Sequence, residues 1–390
     1  MIDLKFNPNF LKNNQSFCAL PFVHLYVDEV SNIQLCCLAD GQSIGKYTPD
    51  FDFDTDSELQ KVRQSMLKGE RVPHCKNCYK YEDGGADSSR LRETQEWFSK
   101  FNISEPEQMP VELVYYDVRN DNLCNLGCRM CNPQYSSQLE KEYNEIGWLY
   151  PKTSKSFGFT QLVDFKTAKK IYVAGGEPSL LPEFRKFLTL AIEHKRTDIE
   201  IRMNTNATNF NKEYRKLLSQ FTNLNIVFSI DGYDQINKYI RWPADWNTII
   251  ENIHGLREIT PYISFNVTVG VWNISNLSKL IFFLEKEFPG VYILLNQIMQ
   301  PPSLMLTAFA DREIAIADLD LLKQSRSYNN DLSFRSKVDF FINTMKSATV
   351  DLAALKDFFQ YNDTLDQSRS ISLVDYIPEL ENCRKYLVNE

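Results

Sequence analysis

Cys124, Cys128 and Cys131 stand in the pattern C-x3-C-x2-C, directly after the apolar, β-rich run Leu113 to Val118. Three thiolates at this spacing can hold three irons of a four-iron cluster and leave the fourth iron without a protein ligand. An open position on a metal is where a substrate or cofactor binds. The alternative is structural zinc, which normally takes four ligands. No His or Cys follows closely enough to complete such a set.

A second feature lies downstream. Lys170 to Ala174 reads as a short buried strand and runs into Gly175-Gly176-Glu177-Pro178. The glycines permit backbone conformations closed to other residues and a close approach to a ligand. Glu177 puts a carboxylate at the strand's C-terminal end, and Pro178 starts the next helix. Taken together, the cysteine pattern and this turn resemble the radical S-adenosylmethionine (radical SAM) superfamily. The resemblance implies that Cys124, Cys128 and Cys131 hold a [4Fe–4S] cluster. It also implies that the amine and carboxylate of S-adenosylmethionine chelate the open iron, with the turn from Gly175 to Pro178 hydrogen-bonding that amine.

The chain has 390 residues, enough for one large domain with appendages or for two domains. A hydrophobic share of 43% supports a sizeable core, and the net charge of −8 gives no global attraction to nucleic acid or anionic membrane. The stretch Met1 to Pro8 has no basic segment followed by an apolar one, and no long apolar run suggests a membrane span. Nine cysteines without an export signal point to metal or redox chemistry in the cytoplasm rather than to disulfides.

Between about residue 110 and residue 298, strand-like and helix-like stretches alternate. The strands expected are Leu113–Val118, Ile171–Ala174, Ile199–Met203, Leu224–Ile230, Ile263–Val271 and Tyr292–Ile298. Helices are expected near Ser136–Ile146, Pro182–Glu193, Lys212–Gln220, Trp246–Ile259 and Asn276–Glu287. Such alternation demands a parallel sheet with crossover helices. The fold class expected is therefore α/β, and the resemblance implies that it is a partial (βα)6 barrel of the radical SAM type. An N-terminal cysteine-rich hairpin and helix module precedes it, and a helical C-terminal extension follows. The boundaries are 1–105, 106–298 and 299–390.

Ligands of parallel α/β folds sit at the C-terminal strand ends. The polar residues there are Asn204, Asn206, Ser229 and Asp231, with Arg241 following. The resemblance implies that Ser229 and Arg241 contact the ribose and carboxylate of S-adenosylmethionine. All five residues can equally cap helices or satisfy turns. Met130 stands where relatives often carry an aromatic side chain near adenine, and its thioether can make a similar contact.

The front end holds Cys18, Cys36, Cys37, Cys75 and Cys78. Phe22–Val27 and Asn32–Cys37 read as a hairpin, Glu58–Leu67 and Arg90–Phe98 as helices, and Gly84-Gly85 as a loop. Four of these cysteines can chelate zinc or a second iron–sulfur cluster. The arrangement resembles the twitch module, a shortened SPASM domain, which implies an auxiliary [4Fe–4S] cluster. Such modules usually follow the barrel, whereas this one precedes it. Cys18, Cys36, Cys75 and Cys78 form the expected ligand set, with Cys37 the alternative to Cys36 because strand neighbours point to opposite faces. His24 and His74 are expected to be packed rather than ligating, and Cys383 to be a free thiol.

The resemblance implies reductive cleavage of S-adenosylmethionine to a 5′-deoxyadenosyl radical that abstracts hydrogen from a substrate. It also implies an electron donor such as flavodoxin or ferredoxin. Peptide or protein modification leads the substrate classes. Dehydrogenation, epimerisation or rearrangement of a small molecule is the alternative, and nucleic acid is not expected. A non-catalytic iron–sulfur or zinc scaffold is the reading from another class. An intact C-x3-C-x2-C beside Gly175–Pro178 argues against it.

Overall fold

The computed structural model describes residue 11 and residues 14–28, 31–40, 43–48, 50–83, 88–119, 121–150 and 158–387. The stretch Met1 to Pro8, the middle of the hairpin turn and Gly84-Gly85 lie outside the described residues. The chain divides into two compact units. The first comprises Met1–Asn122, Lys152–Met203 and Lys216–Asn225; the second comprises Leu123–Pro151, Asn204–Arg215 and Ile226–Glu390.

The first unit carries β1 (His24–Val27), β2 (Asn32–Gln34), β3 (Gly45–Lys46), β4 (Tyr115–Val118), β5 (Lys170–Val173) and the first part of β6 (Glu200–Thr205). Their order is β3-β2-β1-β4-β5-β6. The hairpin strands β1 and β2 pair antiparallel, whereas β1–β4, β4–β5 and β5–β6 are parallel. Sequence reasoning gave the hairpin no partner outside its module; the structure joins it to β4, so the parallel sheet gains a strand. Both hairpin strands are also shorter than expected, the second ending at Gln34 so that Cys36 and Cys37 lie beyond it. Pro21 starts a one-turn helix, Leu20–Val23, that takes Phe22 and Val23 out of the first strand, because its ring presets helical φ at a first turn.

Helix Ser57–Leu67 begins where the Asp56 carboxylate accepts from the backbone N–H groups of Glu58 and Leu59. Leu59, Val62 and Met66 bury one face of it. Helix Ser89–Phe101 is capped by Ser88 and ends at Asn102, whose φ of 52° stops the ladder. Its Trp97 and Phe98 join Phe17, Phe22 and Val114 in the core.

The register sorts the strands into rows. Tyr26, Asp117, Tyr172 and Arg202 lie side by side across four parallel strands, with His24, Tyr115, Lys170 and Glu200 in the row before them. One residue on, the opposite face is apolar, with Ile171 and Ile201 fully buried. Lys170 is buried and bonds Glu96 at 2.8 and 3.0 Å. His24 is packed, as expected: its Nδ1 lies 3.3 Å from the Leu35 carbonyl and its ring 4.5 Å from that of Tyr115. Burial holds its pKa down at about 3. The neutral ring is the folded form, so the unfolded chain binds a proton first as pH falls. Stability is then lost from about pH 6.5 downward, at up to about 1.4 kcal/mol per pH unit. His24→Leu is expected to flatten this dependence between pH 5 and 6.5 in urea titrations; an unchanged slope would show that His24 is not buried neutral.

The second unit contains the rest of β6 and most of β7 (Leu224–Ser229), together with β8 (Ile263–Val269) and β9 (Tyr292–Gln297). β7, β8 and β9 pair in parallel. Alternation along β8 buries Ile263, Phe265, Val267 and Val269. Helices Trp246–Arg257 and Leu277–Glu287 make the crossovers. The region after residue 298 is helical, as expected, with Arg312–Leu321, Leu332–Ser347 and Leu352–Arg369 the longest pieces. Phe341, Phe358 and Phe359 are core residues there. Cys383 is free but fully buried in helix Glu379–Arg384, contrary to the polar setting its neighbours suggest.

Candidate active site

The three-cysteine loop lies in the second unit, between β4 and helix Ser137–Glu145. Ser136 caps that helix by accepting from Leu139 N–H, and its hydroxyl donates to the Leu126 carbonyl at 2.6 Å. Ser137 Oγ accepts from Cys124 N–H at 3.1 Å. The amides of Gly127 and Arg129 donate to the carbonyls of Trp242 and Ile240 at 2.7 and 2.8 Å. The amide of Cys131 closes a turn on the Cys128 carbonyl at 3.0 Å. With no regular structure of its own, the loop satisfies its polar backbone through these partners.

Two of the three sulfurs have a side-chain N–H donor beside them. Arg241 Nη1 lies 3.9 Å from Cys128 Sγ, and Asn206 Nδ2 lies 3.9 Å from Cys124 Sγ. Arg241 is buried and ion-paired with Asp231 at 2.6 Å. Asp231 is fixed in turn, accepting from Thr268 N–H at 2.6 Å and, through its carbonyl, from Asn273 Nδ2 at 2.7 Å. Asn206 also donates to Asn125 Oδ1 at 3.2 Å. Burial pushes the Cys128 thiol up, and Arg241 opposes that push. Burial, then the neighbouring Cys128, raises Cys131 to about 12.

Asp231 is an ion-pair partner and Asn204 a strand residue of β6, neither of them a helix cap. Ser229 ends β7 half-buried, in register with Asn266. Met130 is half-buried within the cysteine loop.

Gly175–Pro178 belongs to the first unit. Gly175 and Gly176 have φ of +83° and +56°, the left-handed region that glycine reaches without strain. A Cβ on Gly175 would also stand 3.2 Å from Arg119 Cβ. Glu177 is 1% exposed, and its Oε1 accepts from Ser179 N–H at 3.0 Å and Ser179 Oγ at 2.8 Å. Pro178 opens a single 3-10 turn, Pro178–Leu180, and the α-helix proper starts at Pro182.

The front-end cysteines also belong to the first unit and come from four elements. Cys18 precedes helix Leu20–Val23, Cys36 follows β2, Cys75 ends a 3-10 turn and Cys78 lies in helix Lys76–Asp83. Burial is the main force raising all four thiols, and neighbouring thiols add to it at three of them: Cys18 feels Cys75 and Cys78, Cys36 feels Cys37, Cys18 and Cys78, and Cys75 feels Cys36 and Cys78. Cys37 is set apart. The residue is exposed at the surface, but burial of its sulfur pushes the thiol up to about 11 against the pull of Arg119. Among the described residues, no three His, Cys, Asp or Glu side chains converge closely enough to hold a single metal ion.

Two groups escaped sequence reasoning. One is the row Tyr26, Asp117, Tyr172 and Arg202, over which Arg119 lies, bonded to Asp117 at 2.9 and 3.2 Å and 5.2 Å from the Tyr172 ring. Its only signal was polar alternation within short strands. The other is the polar face of helix Leu352–Arg369, where Asn362, Asp366 and Arg369 interrupt an apolar pattern.

Residues 122–284 match the Radical SAM superfamily. No curated protein matches the sequence. Among solved structures, the chain is similar to anSMEcpe with bound AdoMet and Cp18Cys peptide, at 16% identity over 56% of this chain and 60% of that one, with a TM-score of 0.38. It is similar to Streptococcus suis SuiB bound to precursor peptide SuiA, at 12% identity over 75% and 62%, with a TM-score of 0.34. Escherichia coli HemN, a coproporphyrinogen III oxidase described as a radical SAM enzyme, matches at 12% identity over 60% and 52%, with a TM-score of 0.35.

Proposed function

We propose that this chain is a radical SAM enzyme whose cluster is held by Cys124, Cys128 and Cys131. The observation that carries this reading is the cysteine loop itself. It lies inside the matched segment, its thiols are free of disulfides, and N–H donors stand 3.9 Å from two of its sulfurs. Such donors stabilise thiolates bound to iron. When bound, the cluster and S-adenosylmethionine supply the electron transfer and the 5′-deoxyadenosyl radical that removes hydrogen from a substrate.

The remaining roles fall to this chain's own side chains. By resemblance, Gly175, Gly176, Glu177 and Pro178 receive the methionyl amine. Ser229 lies at a strand's C-terminal end, which suits a ribose hydroxyl, and the Met130 thioether suits adenine. Arg241 was expected at the methionyl carboxylate. Its engagement with Asp231 and Cys128 supports a role toward the cluster sulfur instead.

Cys18, Cys36, Cys75 and Cys78 are proposed to hold an auxiliary [4Fe–4S] cluster. The mutual influence of their thiols supports a shared metal group. Cys36→Ala is therefore expected to lower the iron content of reconstituted protein and Cys37→Ala to leave it unchanged. The opposite pattern would exchange the two assignments. The substrate is proposed to be a peptide or protein side chain, with a flavodoxin or ferredoxin as electron donor, on the resemblance of the front end to the twitch module.

The experiment is anaerobic reconstitution with iron and sulfide, then reduction and assay for 5′-deoxyadenosine. Formation of 5′-deoxyadenosine supports the enzyme. Folded protein that binds no iron and leaves S-adenosylmethionine intact would leave the scaffold reading.

A further inference from the structure

Helix Leu352–Arg369 lies beyond the matched segment, which ends at residue 284. Most of its inward face is apolar, with Leu355, Phe358, Phe359 and Leu365 buried. The polar exceptions Asn362, Asp366 and Arg369 are spaced i, i+4 and i+7, so they share one face. All three are buried, and all three are engaged with the cysteine loop or the helix that follows it.

Arg129, between Cys128 and Met130, is fully buried. Its guanidinium pairs with Asp366, donates to Asn362 Oδ1 at 2.9 Å and to the Tyr239 carbonyl at 2.9 Å, and lies 3.6 Å from the Tyr239 ring centroid. Arg369 grips both oxygens of Glu142 at 2.8 and 2.6 Å and donates to the Gly127 carbonyl at 2.8 Å. Tyr361 on the same helix donates its hydroxyl to the Arg129 carbonyl at 2.8 Å. The carbonyls on either side of Cys128 are thus both held by this helix. The amides of the same two residues are held by Trp242 and Ile240. No backbone polar group flanking Cys128 is left to water.

Packing alone does not call for this arrangement. Burying two guanidiniums and two carboxylates carries a large desolvation cost, and apolar residues of similar volume hold a helix as well. What the charges add is one fixed register, through directional bonds to particular loop atoms. We propose that helix Leu352–Arg369 is a positioning element of the cluster loop, with Asp366, Arg369 and Tyr361 fixing the backbone at Cys128 so that its sulfur keeps the orientation the iron–sulfur cluster requires. This rests on the radical SAM reading of the loop.

The test uses the full chain. Arg129→Met/Asp366→Leu removes both buried charges together and so avoids an unpaired ion. Tyr361→Phe removes two uncharged hydrogen bonds, to the Arg129 carbonyl and to the Tyr143 hydroxyl, and serves as the milder variant. Two readouts are taken: the rate at which a chelator strips iron from reconstituted protein, and hydrogen exchange of the 124–131 segment in iron-free protein. Expected are about tenfold faster iron loss and exchange in the double variant, with a smaller acceleration of both in Tyr361→Phe. The melting transition should stay cooperative. Parent rates in both variants would reduce the helix to packing. If the parent chain takes up no iron, the radical SAM reading fails, while the exchange data still decide whether the helix orders the loop.

Discussion

Cys128→Ala is expected to abolish 5′-deoxyadenosine formation and to lower the iron of anaerobically reconstituted protein from roughly eight atoms per chain to about four. Two thiolates hold a cubane poorly, and Cys128 is the buried member of the three, with Arg241 beside its sulfur. The four front-end cysteines would retain their own iron, because their ligands come from separate elements of the first unit. Electron paramagnetic resonance of the reduced variant should then show one cluster signal, unresponsive to S-adenosylmethionine. A variant that keeps all its iron and still cleaves S-adenosylmethionine would refute the assignment of Cys128.

Arg241→Gln is expected to destabilise the protein by about 3–5 kcal/mol, because Asp231 is 0% exposed and would be left as a buried carboxylate without its counter-ion. The same change removes the cation beside Cys128 Sγ. A reduced cluster carries more negative charge than an oxidised one, so losing a nearby cation lowers the reduction potential. Asp231→Asn/Arg241→Gln should recover much of the stability but not the potential. Urea titration and a redox titration followed by electron paramagnetic resonance separate the two effects. An unchanged potential with weakened S-adenosylmethionine binding would return Arg241 to the methionyl carboxylate.

Much of the fold was legible in the sequence because short-range rules act on it directly. The strand expected at Leu224–Ile230 is observed as Leu224–Ser229, and helix Pro182–Glu193 has the bounds expected. Period-2 burial and proline at a first turn are local properties. The join of β1 to β4 was not legible, since strand pairing over a long stretch of chain leaves no mark on either strand alone.

The site divides along the same line. Which residue types hold a cluster, and their spacing, are written in C-x3-C-x2-C, and the left-handed backbone of Gly175 and Gly176 follows from the residues themselves. The choice between Cys36 and Cys37 was not, because both lie beyond β2, where strand alternation does not reach. In the folded chain Cys36 feels Cys37, Cys18 and Cys78, and Cys37 feels Arg119. It likewise brings Arg241 to Cys128, and Asp366 and Arg369 to a loop more than two hundred residues away in the chain. Sequence determined the ligand chemistry because thiol number and spacing are covalent facts. Only the folded chain decided what stands behind each sulfur, because buried charges find their partners through packing.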